Sequence, residues 1–397
     1  MNQRLTVAVA LVVVVVAALV AACGSGGGGA TKTEPFRLAY NEDFTGVMSV
    51  DAALADHGIQ TALKQLDYKV MGRSVEYQRL DNGGDPVVAV DKARQLVESY
   101  GIAVHFGPIF APSAAAVTNY LKSAGGVPEI AMLGWSSENL KTANKLSFIP
   151  MGILSCSGYY FGKYVAEKLH YKTVSALYLE DTAAYEIQAG FQRGLEEAGG
   201  RILACQYVPL DTMDFSAYLT TLPKADATLY WVFGPALTRF IQQYHDYGIA
   251  APLISPMSLN LTEAQMAELG DIALGQVAID YYTPQLDNQI NRQFVADYRA
   301  QWDGGYPQAQ SAAGWIAVNL FAEAVKKTKG NTSPKALIEA LADSSLDTPM
   351  GPLSFVEYQD AWVGKGNLWI LETQMVGDRM AWVPVEHYED VVFQDMR

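Results

Sequence analysis

Several strand-like runs in this chain end in short segments rich in groups that hold anions or stack on rings. Gly107-Pro108-Ile109-Phe110-Ala111-Pro112-Ser113 follows the apolar run Ile102 to Phe106, and Pro112 with Ser113 beside it marks the first turn of a helix. The unpaired N–H groups of such a turn favour anionic oxygens, so this segment is suited to a carboxylate. A later strand delivers Gly134-Trp135-Ser136-Ser137, two hydroxyls beside an indole. Three further runs end in Glu180-Asp181 with Tyr185 beyond, in Phe233-Gly234-Pro235, and in Ser255-Pro256-Met257-Ser258. Asp181 also has the type and place of a helix N-cap.

Spacings that would support catalysis are missing. The chain contains no Gly-x-Gly-x-x-Gly, P-loop, Gly-x-Ser-x-Gly or His-Glu-x-x-His. Gly158 to Tyr164 comes nearest to a phosphate loop but lacks its length and its hydroxyl. His57, His105, His170, His245 and His387 are scattered singly, which suits surface or satisfied core positions better than bases or ligands. No Cys-x-x-Cys exists, so no metal and no cofactor is expected. Cys156 and Cys205 leave two readings open, a bridge or two free thiols, because their separation fixes no geometry.

Cys23 carries chemistry of another kind. Arg4, the apolar run Leu5 to Ala22, and Val20-Ala21-Ala22-Cys23 resemble a bacterial lipoprotein signal peptide with its lipobox. That resemblance implies cleavage before Cys23, lipidation of its thiol and amine, and a hold on the membrane through more than one acyl chain. Residues 1–22 are then the signal peptide, and 23–35 the lipidated cysteine with a Gly-rich tether. An uncleaved membrane anchor is the alternative reading of the same run.

The elements that must position the rim segments alternate regularly. Phe36 to Tyr40, Val75 to Leu80, Ile102 to Phe106 and Glu129 to Leu133 read as strands, and so do Thr173 to Leu179, Ile202 to Val208, Thr228 to Phe233, Leu253 to Ser255 and Gln276 to Tyr281. Helical periodicity lies between them, for example over Pro86 to Ser99 with Gly101 as its stop, and returns over Ile290 to Trp302, Ser311 to Lys327 and Pro334 to Ala342. Gly351 to Val385 reads as β-structure with turns at Gly364-Lys365-Gly366 and Val376-Gly377-Asp378. Such alternation implies parallel sheets with helices on both faces, and the restart of the pattern after Pro150 implies two doubly wound α/β lobes. About 365 residues beyond the tether suffice for two cores. With 28 Lys and Arg against 42 Asp and Glu, a formal charge of −14, nucleic acid is not an expected partner.

The ordered set of Phe44-Thr45-Gly46, Gly72-Arg73-Ser74-Val75, Asp81-Asn82-Gly83-Gly84-Asp85-Pro86, Phe106-Gly107 and Asp347-Thr348-Pro349-Met350-Gly351-Pro352-Leu353 resembles the type I solute-binding proteins of the leucine/isoleucine/valine kind, which serve ABC importers. The likeness spans nearly the whole chain after the tether. It implies a periplasmic binding protein of Venus-flytrap form, two lobes joined by three hinge crossings near Pro150, Thr283 and Gly366, with 36–150 and 283–366 as lobe 1 and 151–282 and 367–397 as lobe 2. It implies a monomer outside the cytoplasm that captures a small-molecule solute and presents it to permease subunits.

Carried onto this sequence, the likeness assigns the ligand to Phe110, Ala111 and Ser113, to Trp135, Ser136 and Ser137, and on the facing lobe to Asp181, Tyr185, Phe233 and Met257. Two departures matter. Ala111 stands where the family usually offers a serine, and Met257 stands where amino-acid binders present a glutamate to the ligand's ammonium. A buried ammonium without a carboxylate costs several kcal/mol. Either Asp51 or Asp181 substitutes, or the solute is an apolar or aromatic carboxylate lacking that group. A sensor that shares the fold without transport, an adhesion or structural lipoprotein, and a doubly wound enzyme are the rival functions.

Overall fold

The computed structural model describes residues 34–258 and 261–397, so Cys23 and the leader lie outside the described residues. In chain order the elements are β1 (Phe36–Glu42), α1 (Ser49–Gln65), β2 (Lys69–Val70), β3 (Arg73–Asp81), α2 (Pro86–Arg94), β4 (Val104–Phe106), α3 (Ala111–Ser123), β5 (Glu129–Ile130), α4 (Ser137–Thr142) and β6 (Ser147–Ile149). There follow α5 (Leu154–Glu167), β7 (Thr173–Leu179), α6 (Thr182–Glu197), β8 (Arg201–Val208), α7 (Ser216–Leu219), β9 (Ala227–Trp231), α8 (Pro235–Asp246), β10 (Leu253–Ser255), α9 (Glu263–Leu269) and β11 (Val277–Asp280). Last come α10 (Gln289–Gln301), α11 (Ala309–Lys327), α12 (Pro334–Ala342), β12 (Ser345–Thr348), β13 (Gly351–Tyr358), β14 (Ala361–Val376) and β15 (Arg379–Val392).

Strand order is β2-β3-β1-β4-β5-β6-β14-β11-β10-β9-β7-β8. From β3 to β6 and from β11 to β8 every pairing is parallel, as expected where crossover helices cover both faces. The two parallel halves meet through β14 alone. Trp362 and Val363 near its start pair with β6, while Trp369 to Glu372 further along pair antiparallel with β11. The chain therefore passes between halves three times: after β6, after β11 and along β14. β15 returns beside β14 as far as Val392 opposite Lys365, and Phe393 then accepts from Ile153 N at 2.9 Å.

Local chemistry explains most helix starts. Asp85 caps α2 by accepting from Val87 N and Val88 N at 2.7 and 3.2 Å, with Pro86 preset for the first turn. Thr262 and Gln265 form a reciprocal capping box on α9. In the second half α5 and α6 touch backbone to backbone: a Cβ on Gly158, Gly162, Gly190 or Gly194 would sit within 2.5 Å of a carbonyl oxygen of the facing helix. Gly158 and Gly162 are thus packing glycines inside a helix, not part of a phosphate loop.

Three expectations change. The runs Ile102 to Phe106 and Glu129 to Leu133 pair regularly only over Val104–Phe106 and Glu129–Ile130: the first joins the ladder two residues late, and the second leaves it early as the chain turns toward the rim. Gly364-Lys365-Gly366 is not a turn; it lies within the 16-residue strand β14. The glycine is needed there for a different reason: a Cβ at Gly364 would lie 2.2 Å from Pro150 O and 3.0 Å from the Phe393 ring, so two crossings pass each other in contact. The turn at Gly377 forms as read. Cys156 and Cys205 are both free thiols, the first buried on α5 and the second on β8.

Buried polar groups tie α3 to the sheet. Glu129 is enclosed between β5, β6 and α3, taking hydrogen bonds from Ser147 Oγ at 2.5 Å and Thr118 Oγ at 3.1 Å. Burial pushes its carboxyl up to about 7. A carboxyl raised above its unfolded value of 4.5 stabilises the fold fully below that value, and the contribution is lost as pH climbs through about 7. Glu129→Gln is therefore expected to flatten the fall in unfolding free energy between pH 4.5 and about 7, by up to about 1.4 kcal/mol per pH unit; a chemical-denaturation series across that range reads it, and an unaltered slope would contradict it. Gly364→Ala should lower stability by roughly 1–3 kcal/mol, whereas Gly377→Ala, with nothing within 4 Å, carries only its backbone strain of about 1 kcal/mol. Thermal unfolding of the two variants compares them.

Candidate functional site

The carboxyl ends of β1, β4 and β5 carry the first rim. Glu42 closes β1 and is fully buried; its carboxylate accepts from Asp43 N at 2.9 Å and from Ile109 N. Desolvation, the dominant cause, raises its pKa to about 7 against the lowering effect of those N–H groups. Asp43 accepts from Gly46 N at 2.5 Å and Met48 N at 3.0 Å, and Asp81 accepts from Phe44 N, Thr45 Oγ and Gly83 N at 2.8–3.0 Å. The Phe44-Thr45-Gly46 segment is thus folded back by two acids, Asp43 and Asp81. Of these, sequence reading singled out only Asp81, and only as part of the family motif.

Phe110 is the N-cap residue of α3 and offers no side-chain cap, so the first-turn donors have no cap of their own. Ser113, in that turn, is completely buried, and its Oγ has no hydrogen-bond partner among the described residues. Phe110 and Ala111 are half-buried at the same end. Ser136 caps α4 through Asn139 N at 3.2 Å, and Asn139 Nδ2 reaches Ala111 O at 2.8 Å, which locks the two rim loops together. Trp135 packs with Leu140, Ile149, Ile153 and Val363 beside the crossings; its backbone N–H donates to Gly152 O at 2.8 Å, and its buried indole Nε1 has no hydrogen-bond partner among the described residues. Its surroundings are those of a hinge core residue.

Ser137 connects the halves. Its hydroxyl donates to Glu186 on α6, and Arg397 Nη1 lies 3.3 Å from the same Glu186 oxygen. Asp395, which pairs with Arg397, accepts from Ser155 Oγ at 2.8 Å. Ser137, Glu186, Arg397, Asp395 and Ser155 therefore form one chain of hydrogen bonds and ion pairs running from α4 to α6 and back to the crossing before α5. Sequence reading found Ser137 but not Glu186, Arg397 or Asp395, whose meeting depends on the return of β15.

On the second rim Asp181 caps α6, with Oδ1 taking Ala184 N at 2.6 Å and Oδ2 lying 3.4 Å from Trp231 Nε1. Burial raises its pKa. Phe233 is half-buried, edge-on to Trp231 at 5.8 Å, and packs on both large apolar clusters. Met257 is 5% exposed within the main cluster. Tyr185 stands apart: it is 46% exposed, stacks on Tyr207 of β8 at 4.6 Å and donates to Glu180. Asp51, on the first turn of α1, accepts from Gln310 Nε2 at 2.5 Å; its pKa is raised by burial, opposed by that bond.

Next to this rim lies a cavity of about 540 Å³ walled by Leu261, Thr262, Tyr282, Thr283, Tyr306 and Trp382 among others. Residues of both halves line it; Ser258 of the rim segment and Thr283 at a crossing are among them, but none of the residues assigned to the solute from the sequence is. Its chain neighbours do belong to the rim: Ser258 follows Met257, and Ala309 precede Gln310, the partner of Asp51. Among the described residues no group of three His, Cys, Asp or Glu could hold a metal, and no helix is long and apolar enough to cross a membrane.

A family model described as periplasmic binding protein matches residues 35–373. The leucine-, isoleucine-, valine-, threonine-, and alanine-binding protein of Pseudomonas aeruginosa is 24% identical over 339 residues, covering 82% of this chain and 87% of that protein. Among solved structures, an ABC transporter substrate-binding protein from Sphaerobacter thermophilus superposes with a TM-score of 0.85 at 26% identity, covering 91% of this chain and all of the other. A solute-binding protein of an ABC transporter from Rhodopseudomonas palustris, in complex with 3,4-dihydroxybenzoic acid, gives 0.80 at 23% identity over 90% and 98% of the two chains. With a match that spans most of its length and a fold of two parallel half-sheets sharing one strand, the chain belongs to the periplasmic binding protein family, whose members bind solutes and are not enzymes.

Proposed function

We propose that this protein is the solute receptor of an ABC importer, working outside the cytoplasm on a lipid anchor at Cys23, and that its solute is a small carboxylate with an apolar or aromatic tail. The observation that carries the carboxylate is the uncapped start of α3 with the buried, unpartnered hydroxyl of Ser113. Backbone donors in a dry site hold carboxylate oxygens without rearrangement, and a buried hydroxyl gains its missing hydrogen bond. The lobes are residues 36–150 with 283–366 and residues 151–282 with 367–397, and they close on the solute. The Ser137 to Glu186 bond between halves supports that closure: a contact available only when the lobes meet shifts the hinge toward the closed form.

The acids weigh against an α-amino acid. Met257 brings no charge, Asp181 already spends both oxygens on Ala184 N and Trp231 Nε1, and Asp51 is held by Gln310. An ammonium would have to displace one of these bonds. Trp231 and Phe233 instead offer ring surfaces beside the rim. The relative from Pseudomonas aeruginosa, named for aliphatic amino acids, keeps the amino acid as the second reading, and the relative from Rhodopseudomonas palustris, solved with an aromatic acid, supports the first.

Thermal-shift titration separates them. Benzoate and hydroxybenzoates are expected to stabilise the protein by about 2.7 kcal/mol at a hundredfold excess over Kd, and leucine, isoleucine and valine to leave it unmoved; a strong shift with the amino acids alone would reverse the assignment. Phe233→Ala should weaken the bound acid by about 1–2 kcal/mol, roughly five- to thirtyfold, with little change in the ligand-free melting temperature. Glu186→Gln should lower affinity and enlarge the radius of gyration of the liganded protein in small-angle scattering, whereas an unchanged radius and affinity would show that the bond to Ser137 does not hold the lobes.

A further inference from the structure

The 540 Å³ cavity is large for a single-ring acid or a branched amino acid, and falls in the range of about 300–1,000 Å³ that takes a drug-sized molecule. Its walls have largely satisfied their own polar groups. Thr283 Oγ donates to Trp382 O at 2.7 Å, Trp382 Nε1 to Leu261 O at 3.0 Å, and Ser258 Oγ to Asp280 at 2.7 Å, while Thr262 is committed to its capping box. Glu263 is paired with Arg379. Tyr306 is braced from two sides, with the Arg379 guanidinium 3.7 Å and the Arg299 guanidinium 4.3 Å from its ring centroid. The surface offered to a guest is therefore mostly ring face and aliphatic carbon.

One group breaks the pattern. Tyr282 lines the cavity, is 2% exposed, and its hydroxyl has no hydrogen-bond partner among the described residues. That hydroxyl has less than 1 Å² of accessible surface, so it is turned into the protein and the cavity meets other atoms of Tyr282.

We propose that this cavity receives the tail of the solute, so that the preferred ligand is an extended carboxylate: an acid group at the α3 rim and an uncharged aryl or acyl chain running past Met257 into the cavity. The proposal rests on the carboxylate reading above for its anchored end. Because Leu261 and Trp382 belong to one half and Tyr306 to the other, a tail in the cavity touches both walls, and its length is read through closure.

Calorimetric titration of the full-length protein with benzoate, 3-phenylpropanoate, 5-phenylpentanoate and 5-(4-hydroxyphenyl)pentanoate tests it. Affinity is expected to rise at least tenfold from benzoate to the long acids. Tyr306→Ala should remove most of that gain, reducing the affinity of the long acids more than that of benzoate. Equal affinity along the series, or a gain that survives in Tyr306→Ala, overturns the tail compartment while the carboxylate reading stands. Failure of every acid to bind, benzoate included, overturns both.

Discussion

Two parallel half-sheets are hydrogen-bonded into one through a single shared strand, and the rest of the molecule depends on how that strand passes from one to the other. β14 gives its first residues to β6 and its later ones to β11, with Gly364 lying against Pro150 at the point of change. Only a residue without Cβ permits this approach. Since the three passages lie together, rotation of one half against the other needs adjustment at a few backbone positions and leaves both cores intact. A hinge so placed opens a crevice at the carboxyl ends of both sets of strands, which is where the helix starts bring their donors.

The rim on the first half is built from buried acids used as braces. Glu42 and Glu129 are enclosed and raised toward neutrality, while Asp43 and Asp81 gather backbone N–H groups of the loop after β1. These acids fix loops rather than bind solute. Glu42 takes the N–H of Ile109 just ahead of α3, whose own first turn has no side-chain cap. On the facing half the same logic removes Asp181 from the list of free carboxylates, because it caps α6 and accepts from Trp231.

Legibility differed sharply between elements. Thr173–Leu179, Leu253–Ser255 and Pro334–Ala342 match their sequence-based bounds, since a buried parallel strand and an amphipathic helix each impose a period on their own residues. The pair Gly364 and Gly366 misled, because glycine demanded by a close approach looks in sequence like glycine demanded by a turn. Trp135 was read as a ligand contact and is enclosed by Ile149, Ile153 and Val363 next to the hinge. Tyr282, Tyr306 and Trp382 carried no signal at all: they stand in separate segments, and nothing local marks residues that share a cavity.

The sequence by itself determined the alternation of strands and helices, the helix starts at Asp85, Ser136 and Asp181, the ordered family segments and the absence of catalytic spacing, because each of these is a property of neighbours along the chain. Only the tertiary structure decided that Ser137 meets Glu186 and Arg397, that the two cysteines stay apart, that Asp51 is taken by Gln310, and that three distant aromatic residues enclose one space. Those contacts join residues tens to hundreds of positions apart. They exist because helices and strands far apart in the chain pack together, and for Arg397 and Trp382 because β14 and β15 carry the end of the chain back across both halves; no period or motif in the sequence encodes those meetings.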